Sequence, residues 1–186
     1  MEISEILSKC EKEMSTKIDK LKSEFNSLRT GRANPELLNN VYVEYYGSKV
    51  PLKQIAAIGV PDARTLEIKP WDKTVIEAVE AELKKLDLGS VPQRQGDIIR
   101  INLPPMNEEQ RKKLVKVVSQ IAEEIRVEIR NIRRDYLEKI KKAQKNSEIS
   151  EDDAKRYENE IQKITNKHIE SVNQLAQIKE KDLLTI

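Results

Sequence analysis

A chain of 186 residues with 35% charged side chains, 34 basic against 32 acidic, is long enough to bury a core and too evenly balanced to be a disordered polyelectrolyte. Its single cysteine, Cys10, excludes an intrachain disulfide framework and any CxxC metal or redox motif, and one thiol on an apolar repeat reads as packed core in a reducing compartment. No apolar run approaches the roughly 20 residues that span a bilayer, and Met-Glu-Ile-Ser-Glu lacks a signal peptide's basic flank, so the expectation is a cytoplasmic protein with no membrane segment.

All five glycines and all seven prolines fall between Gly31 and Pro105. Helix interiors exclude both residue types and turns require them. The chain therefore reads as helix, turn-rich segment, then helices. In residues 1–30 the apolar positions Ile3, Leu7, Cys10, Met14, Ile18, Leu21, Phe25 and Leu28 step by three and four, the mark of a helix with one narrow apolar stripe.

The segment 31–105 changes period. Val41, Val43 and Tyr45 alternate with polar or outward residues and Gly47-Ser48 supplies a hairpin turn. Leu66 and Ile68, then Ile99, Ile101 and Leu103, repeat the two-residue pattern. Between them Thr74 and Glu77 form a capping-box pair ahead of Ile76, Val79, Leu83 and Leu86, with Gly89 as the stop signal.

Helical stepping returns in Leu114, Val118, Ile121, Ile125, Ile129, Ile132, Tyr136 and Ile140, with Asn107 and Gln110 placed as a capping box. A further run follows the Ser150 cap through Tyr157, Ile161, Ile164, His168, Val172 and Leu175. Three narrow stripes can bury one another. The reading is an α+β protein of two domains: a long three-helix bundle of residues 1–30 and 106–186, and a small inserted β/α/β domain of residues 31–105. An extended coiled-coil homodimer is the rival arrangement, and the insert argues against it, because it severs the first helix from the other two. A monomer is expected. The two crossings, Arg29 to Pro35 and Leu103-Pro104-Pro105, are short, and such junctions suit a hinge at Thr30, Gly31, Pro104 and Pro105; the bland alternative is that these residues merely turn the chain.

The chemistry of an enzyme is missing. There is no GxxxxGK[ST] loop and no GxGxxG, the sole histidine lies on an apolar stripe, and Asp152-Asp153 is explained by a helix N-terminus. No catalytic residue, cofactor or metal is expected. Charge is the informative feature. Residues 111–145 hold twelve basic side chains against five acidic, a net of +7, whereas 146–186 hold six against nine, a net of −3. Steps of four and three set Arg126, Arg130 and Arg133 within about a 60° wedge, roughly 100° from the apolar stripe and so expected to face solvent. A guanidinium matches two phosphate oxygens at once, so a stiff helix bearing several suits a nucleic-acid backbone. The bland alternative is a solvated face paired internally with Glu123 and Asp135. With few aromatics to stack bases, structured RNA or duplex fits better than single strands. A second reading is a coiled-coil scaffold or chaperone binding other proteins through its stripe.

Seven stretches, in order, resemble the bacterial ribosome recycling factor family: Arg29-Thr30-Gly31-Arg32-Ala33, Glu44-Tyr45-Tyr46-Gly47, Arg64 to Asp72, Leu88-Gly89, Ile99-Arg100, Arg130 to Asp135, and Ile149 to Asp153. The resemblance implies a three-helix bundle with a hinged second domain, the pair approximating a transfer RNA in outline. It implies action after termination, when with elongation factor G and GTP the subunits separate and message and transfer RNA leave. It further implies that Arg111, Arg130 and Arg133 grip large-subunit ribosomal RNA, with Arg126 and Arg134 as neighbours, and that Arg29 and Arg32 match arginines near the hinge. Gln110 stands where many members carry a second arginine, a departure that bears on the contact near Arg111.

Overall fold

The structure, a computed structural model, describes residues 2–185. The chain divides into two compact units. One comprises Met1–Glu24 and Lys113–Asp182, the other Phe25–Lys112 and Leu183–Ile186.

The first unit is a three-helix bundle built from α1 (Ile3–Asn26), α3 (Glu108–Lys145) and α4 (Glu151–Leu184); α2 belongs to the insert. At about 1.5 Å per residue the two long helices run roughly 50–60 Å. From α1 the core takes Ile6, Cys10, Met14, Ile18 and Leu21; from α3 it takes Val118, Ala122, Ile125, Ile129, Ile132, Tyr136 and Ile140. Two details differ from the sequence expectation. Ile6, not Leu7, is buried on α1, and the side chain of Ile3 lies outside the described residues. On α4 the seam passes through Ala154, Ile161, Thr165, His168, Val172 and Ala176, leaving Tyr157, Ile164 and Leu175 half-buried at its margins. Small residues at 154, 165 and 176 admit close helix approach, and Thr165 is tolerated inside because its hydroxyl donates to Ile161 O at 2.8 Å.

Polar groups between helices are matched as well. Tyr136 OH donates to Glu13 at 2.7 Å, tying α3 to α1. His168 is buried, with Nδ1–H donating to Ile164 O at 2.7 Å and Nε2 accepting from Ser15 Oγ at 3.3 Å. It is a satisfied core histidine joining α4 to α1. Lys17 and Lys20 of α1 share Glu128 of α3 at 3.1 and 2.9 Å. Cys10 is fully buried, and desolvation followed by Glu13 and Glu11 pushes its thiol up to about 11.

Caps bound both long helices. Gln110 N–H donates to Asn107 Oδ1 at 2.8 Å while Gln110 Oε1 accepts Asn107 N–H at 3.1 Å, a reciprocal capping box. Ser150 Oγ accepts from Asp153 N–H at 3.1 Å at the start of α4.

The second unit holds a hairpin, β1 (Tyr42–Tyr45) with β2 (Ser48–Pro51), and a four-stranded antiparallel sheet. The sheet comprises β3 (Ala56–Asp62), β4 (Thr65–Pro70), β5 (Gln93–Gln95) and β6 (Ile98–Asn102), ordered β3-β4-β6-β5. Leu66 and Ile68 face Ile101 and Ile99 across the central pair, and α2 (Ile76–Lys84) completes the core with Ile76, Val79 and Leu83. The hairpin turns on Tyr46 and Gly47, with φ 48° and 83°, one residue earlier than Gly47-Ser48. The cap before α2 also moves. Asp72, not Thr74, accepts the N–H of Thr74 at 2.9 Å and its hydroxyl at 2.7 Å. A short 3-10 turn, Lys73–Val75, then intervenes and α2 stops at Lys84, well before Gly89.

Both chain crossings are anchored to one turn of this unit. Ala33 N–H donates to Ala63 O and Leu103 N–H to Arg64 O, each at 2.7 Å. Arg29 Nη2 donates to Pro104 O at 2.8 Å, joining one crossing to the other.

Candidate nucleic-acid interface

Arg126, Arg130 and Arg133 of α3, whose angular position suggested free exposure to solvent, are half-buried, and Arg134 beside them is exposed. Arg126 and Arg133 lean over α4. Arg126 Nε donates to Asn173 Oδ1 at 2.9 Å, and Arg133 Nη1 reaches Gln162 Oε1 at 3.5 Å, the limit of a hydrogen bond. Only 23% of the Arg126 side chain and 43% of Arg130 are exposed. Because α3 and α4 pack side by side, a long side chain at the edge of the apolar stripe lays its methylenes in the groove and carries its head along the seam.

What the partners are decides the electrostatics. On α4 they are neutral amides, which orient the guanidiniums and cancel no charge. One carboxylate intervenes: Glu123 Oε2 accepts from Arg126 Nη1 and Oε1 from Arg130 Nη1, each at 3.1 Å. Those bonds, Arg126 first and then Arg130, hold the Glu123 carboxyl below the ordinary carboxylate range. Two cations thus share one anion. Among the described residues neither Arg133 nor Arg134 meets a carboxylate, and Asp135, the other expected counter-ion, pairs with no arginine. Arg133 Nε is buried with no acceptor among the described residues. An unpaired buried N–H of this kind is costly unless an incoming acceptor completes it.

Of the other candidates, Arg111 is half-buried on the first turn of α3 and Arg32 is exposed, and neither side chain has a hydrogen-bond or ion-pair partner among the described residues. Arg29 donates through Nη2 to Pro104 O at 2.8 Å, and its Nε is buried with no partner among the described residues. The partners Asn173 and Gln162 could not be found from the sequence, because nothing in α3 or α4 alone fixes the register of one against the other. Glu123 could, being three and seven residues before Arg126 and Arg130 on one helix face. Among the described residues no group of three or more His, Cys, Asp or Glu is placed to hold a metal ion, and no helix is long and apolar enough to cross a membrane.

A three-helix bundle with an arginine-lined seam, carrying an inserted β/α/β domain, defines a two-domain helical factor of α+β class. The family model described as ribosome recycling factor matches residues 21–184. The ribosome-recycling factor of Symbiobacterium thermophilum is 47% identical over 182 residues, covering 98% of each chain, and that of Thermus thermophilus is 47% identical over 184 residues, covering 99% of this chain and all of the relative. Among solved structures, a solution structure of the ribosome recycling factor superposes with TM-score 0.77 at 39% identity, covering 100% of this chain and 99% of that one. The T. thermophilus factor, in a structure with E. coli elongation factor G bound to the E. coli post-termination complex, superposes with TM-score 0.67 at 47% identity, covering 99% of this chain and 100% of that one. The chain belongs to the ribosome recycling factor family.

Proposed function

We propose that this protein binds the post-termination ribosome through phosphates of large-subunit ribosomal RNA and, together with elongation factor G and GTP, separates the subunits so that message and transfer RNA leave. It does so as a non-enzymatic factor of the cytoplasm, with the nucleotide hydrolysed by its partner. Family membership supports the ribosomal setting. The surplus of guanidiniums over carboxylates along α3, with Arg133 Nε unsatisfied, carries the RNA reading. Arg130, Arg133, Arg134 and Arg126 are assigned the phosphate contacts, with Arg111 and Arg32 as supporting cations. Arg29, which also clasps the second crossing at Pro104 O, is assigned a supporting contact near the hinge. Thr30, Gly31, Pro104 and Pro105 form the hinge, between a bundle of residues 1–30 and 106–186 and an insert of 31–105. The scaffold reading loses support, because the apolar stripes of α1, α3 and α4 are spent on the bundle's own core.

Arg130→Ala and Arg133→Ala test it. Each should weaken binding to purified large subunits about tenfold, the effect of losing one charge-assisted contact, and lower the salt slope by roughly 0.7 to 0.9. Helix content and melting should barely change. Binding at wild-type strength in both variants would remove the phosphate reading.

A further inference from the structure

We infer that Glu123 is a built-in competitor of phosphate, an intramolecular counter-ion that ribosomal RNA must displace from Arg126 and Arg130. The inference rests on the arginine seam being the RNA contact. Glu123 presents its two oxygens to two guanidiniums at 3.1 Å each, the same fork of acceptors that a phosphate offers. The pair it bridges carries two positive charges, so one remains uncompensated and continues to attract a polyanion. The carboxylate is also replaceable: its side chain is 54% exposed, so the bridge lies open to solvent and ions.

A bridging carboxylate could act in either of two ways. It could order the arginines in advance and strengthen RNA binding, or oppose the phosphate and weaken it. The neighbouring contacts decide between them. Arg126 is held independently by Asn173 through Nε, so losing Glu123 disorders one side chain at most, Arg130. The negative charge, in contrast, acts on every phosphate brought to the seam. Competition therefore wins, and the consequence is faster release, which suits a factor that must leave the ribosome after each round.

The test is Glu123→Gln, a near-isosteric removal of the charge, measured for affinity and dissociation rate on purified large ribosomal subunits across a salt series. Glu124→Gln is the control. It removes an equal charge from the next position, about 100° around the helix, where Glu124 meets Gln120 and no arginine. Glu123→Gln should bind about three- to tenfold more tightly, through slower dissociation, with a salt slope steeper by roughly 0.7 to 0.9 as one more cation engages phosphate. Glu124→Gln should stay within twofold of wild type. Equal or weaker binding by Glu123→Gln, or equal tightening by both variants, overturns the inference. Undiminished binding by both Arg130→Ala and Arg133→Ala would instead remove the phosphate reading beneath it, so the two failures are distinguishable.

Discussion

Gly89 shows how a single residue holds local geometry in the second unit. Its φ of +74° is one that L side chains rarely adopt, and a Cβ there would sit 2.8 Å from Arg29 Nη1 and 3.2 Å from Pro104 Cγ. The glycine gives the Arg29 guanidinium room to reach Pro104 O. Gly89→Ala should destabilise the protein by about 1–2 kcal/mol from the backbone conformation alone, plus the cost of moving Arg29. The check is urea unfolding of Gly89→Ala, Arg29→Ala and the double variant. The double should cost less than the sum of the singles, because the second substitution removes an atom the first collides with; strict additivity would show that the clasp is not coupled to Gly89. At this scale the sequence marked Gly89 as a stop signal after α2 and as part of a family-like stretch, and gave no hint of its contact with Arg29, which is distant in the chain. For the α3 arginines the helical period was enough to separate them from the apolar stripe, while their lean onto Asn173 and Gln162 needed the packed pair of helices.

At the scale of elements, local signals served where the chain itself supplies both partners. The Asn107–Gln110 box and the Ser150 cap were legible because donor and acceptor lie three residues apart. Asn107→Ala should therefore cost about 1 kcal/mol, within the usual range for a lost cap. A urea midpoint lowered with an unchanged slope would confirm it, and binding to large subunits should stay at wild-type strength because Asn107 lies outside the seam. No loss of stability would show that the box adds nothing to α3. Where strand identity depends on neighbours the sequence was silent. β3 contains Gly59 and Pro61, residues that argue against a strand, yet it lies at the sheet edge with a bulge between Gly59 and Asp62, where both are tolerated. β5 is three exposed polar residues with no alternation to detect. The seam of α4 drifted because Thr165 and Ala176 are weakly apolar, so the larger Ile164 and Leu175 drew the reading to the wrong edge of the stripe.

For the whole molecule, a net charge of +2 conceals a net of +7 over residues 111–145 and −3 over 146–186, and under the proposed function the protein acts by where it binds and by how its parts move. The two crossings are the only covalent ties between the inserted segment and the helices that flank it. Gly31, at φ 85°, and the consecutive Pro104-Pro105 mark them, while Ala33 and Leu103 are pinned to adjacent carbonyls of one turn. The proposed hinge would lie in the few residues between those pins and the helices, where a short junction can absorb backbone rotation. If subunit separation requires that freedom, a cleavable thiol cross-linker joining one introduced surface cysteine in each unit should abolish splitting by elongation factor G and GTP, leave binding to large subunits within about twofold, and be reversed by reductant. Native chemistry favours the experiment, because the only other thiol, Cys10, is fully buried and its pKa is pushed up to about 11, so it offers little thiolate to compete with the introduced pair. Full splitting by the cross-linked protein would mean that motion between the units is not required and that the factor acts as a rigid wedge moved by its partner.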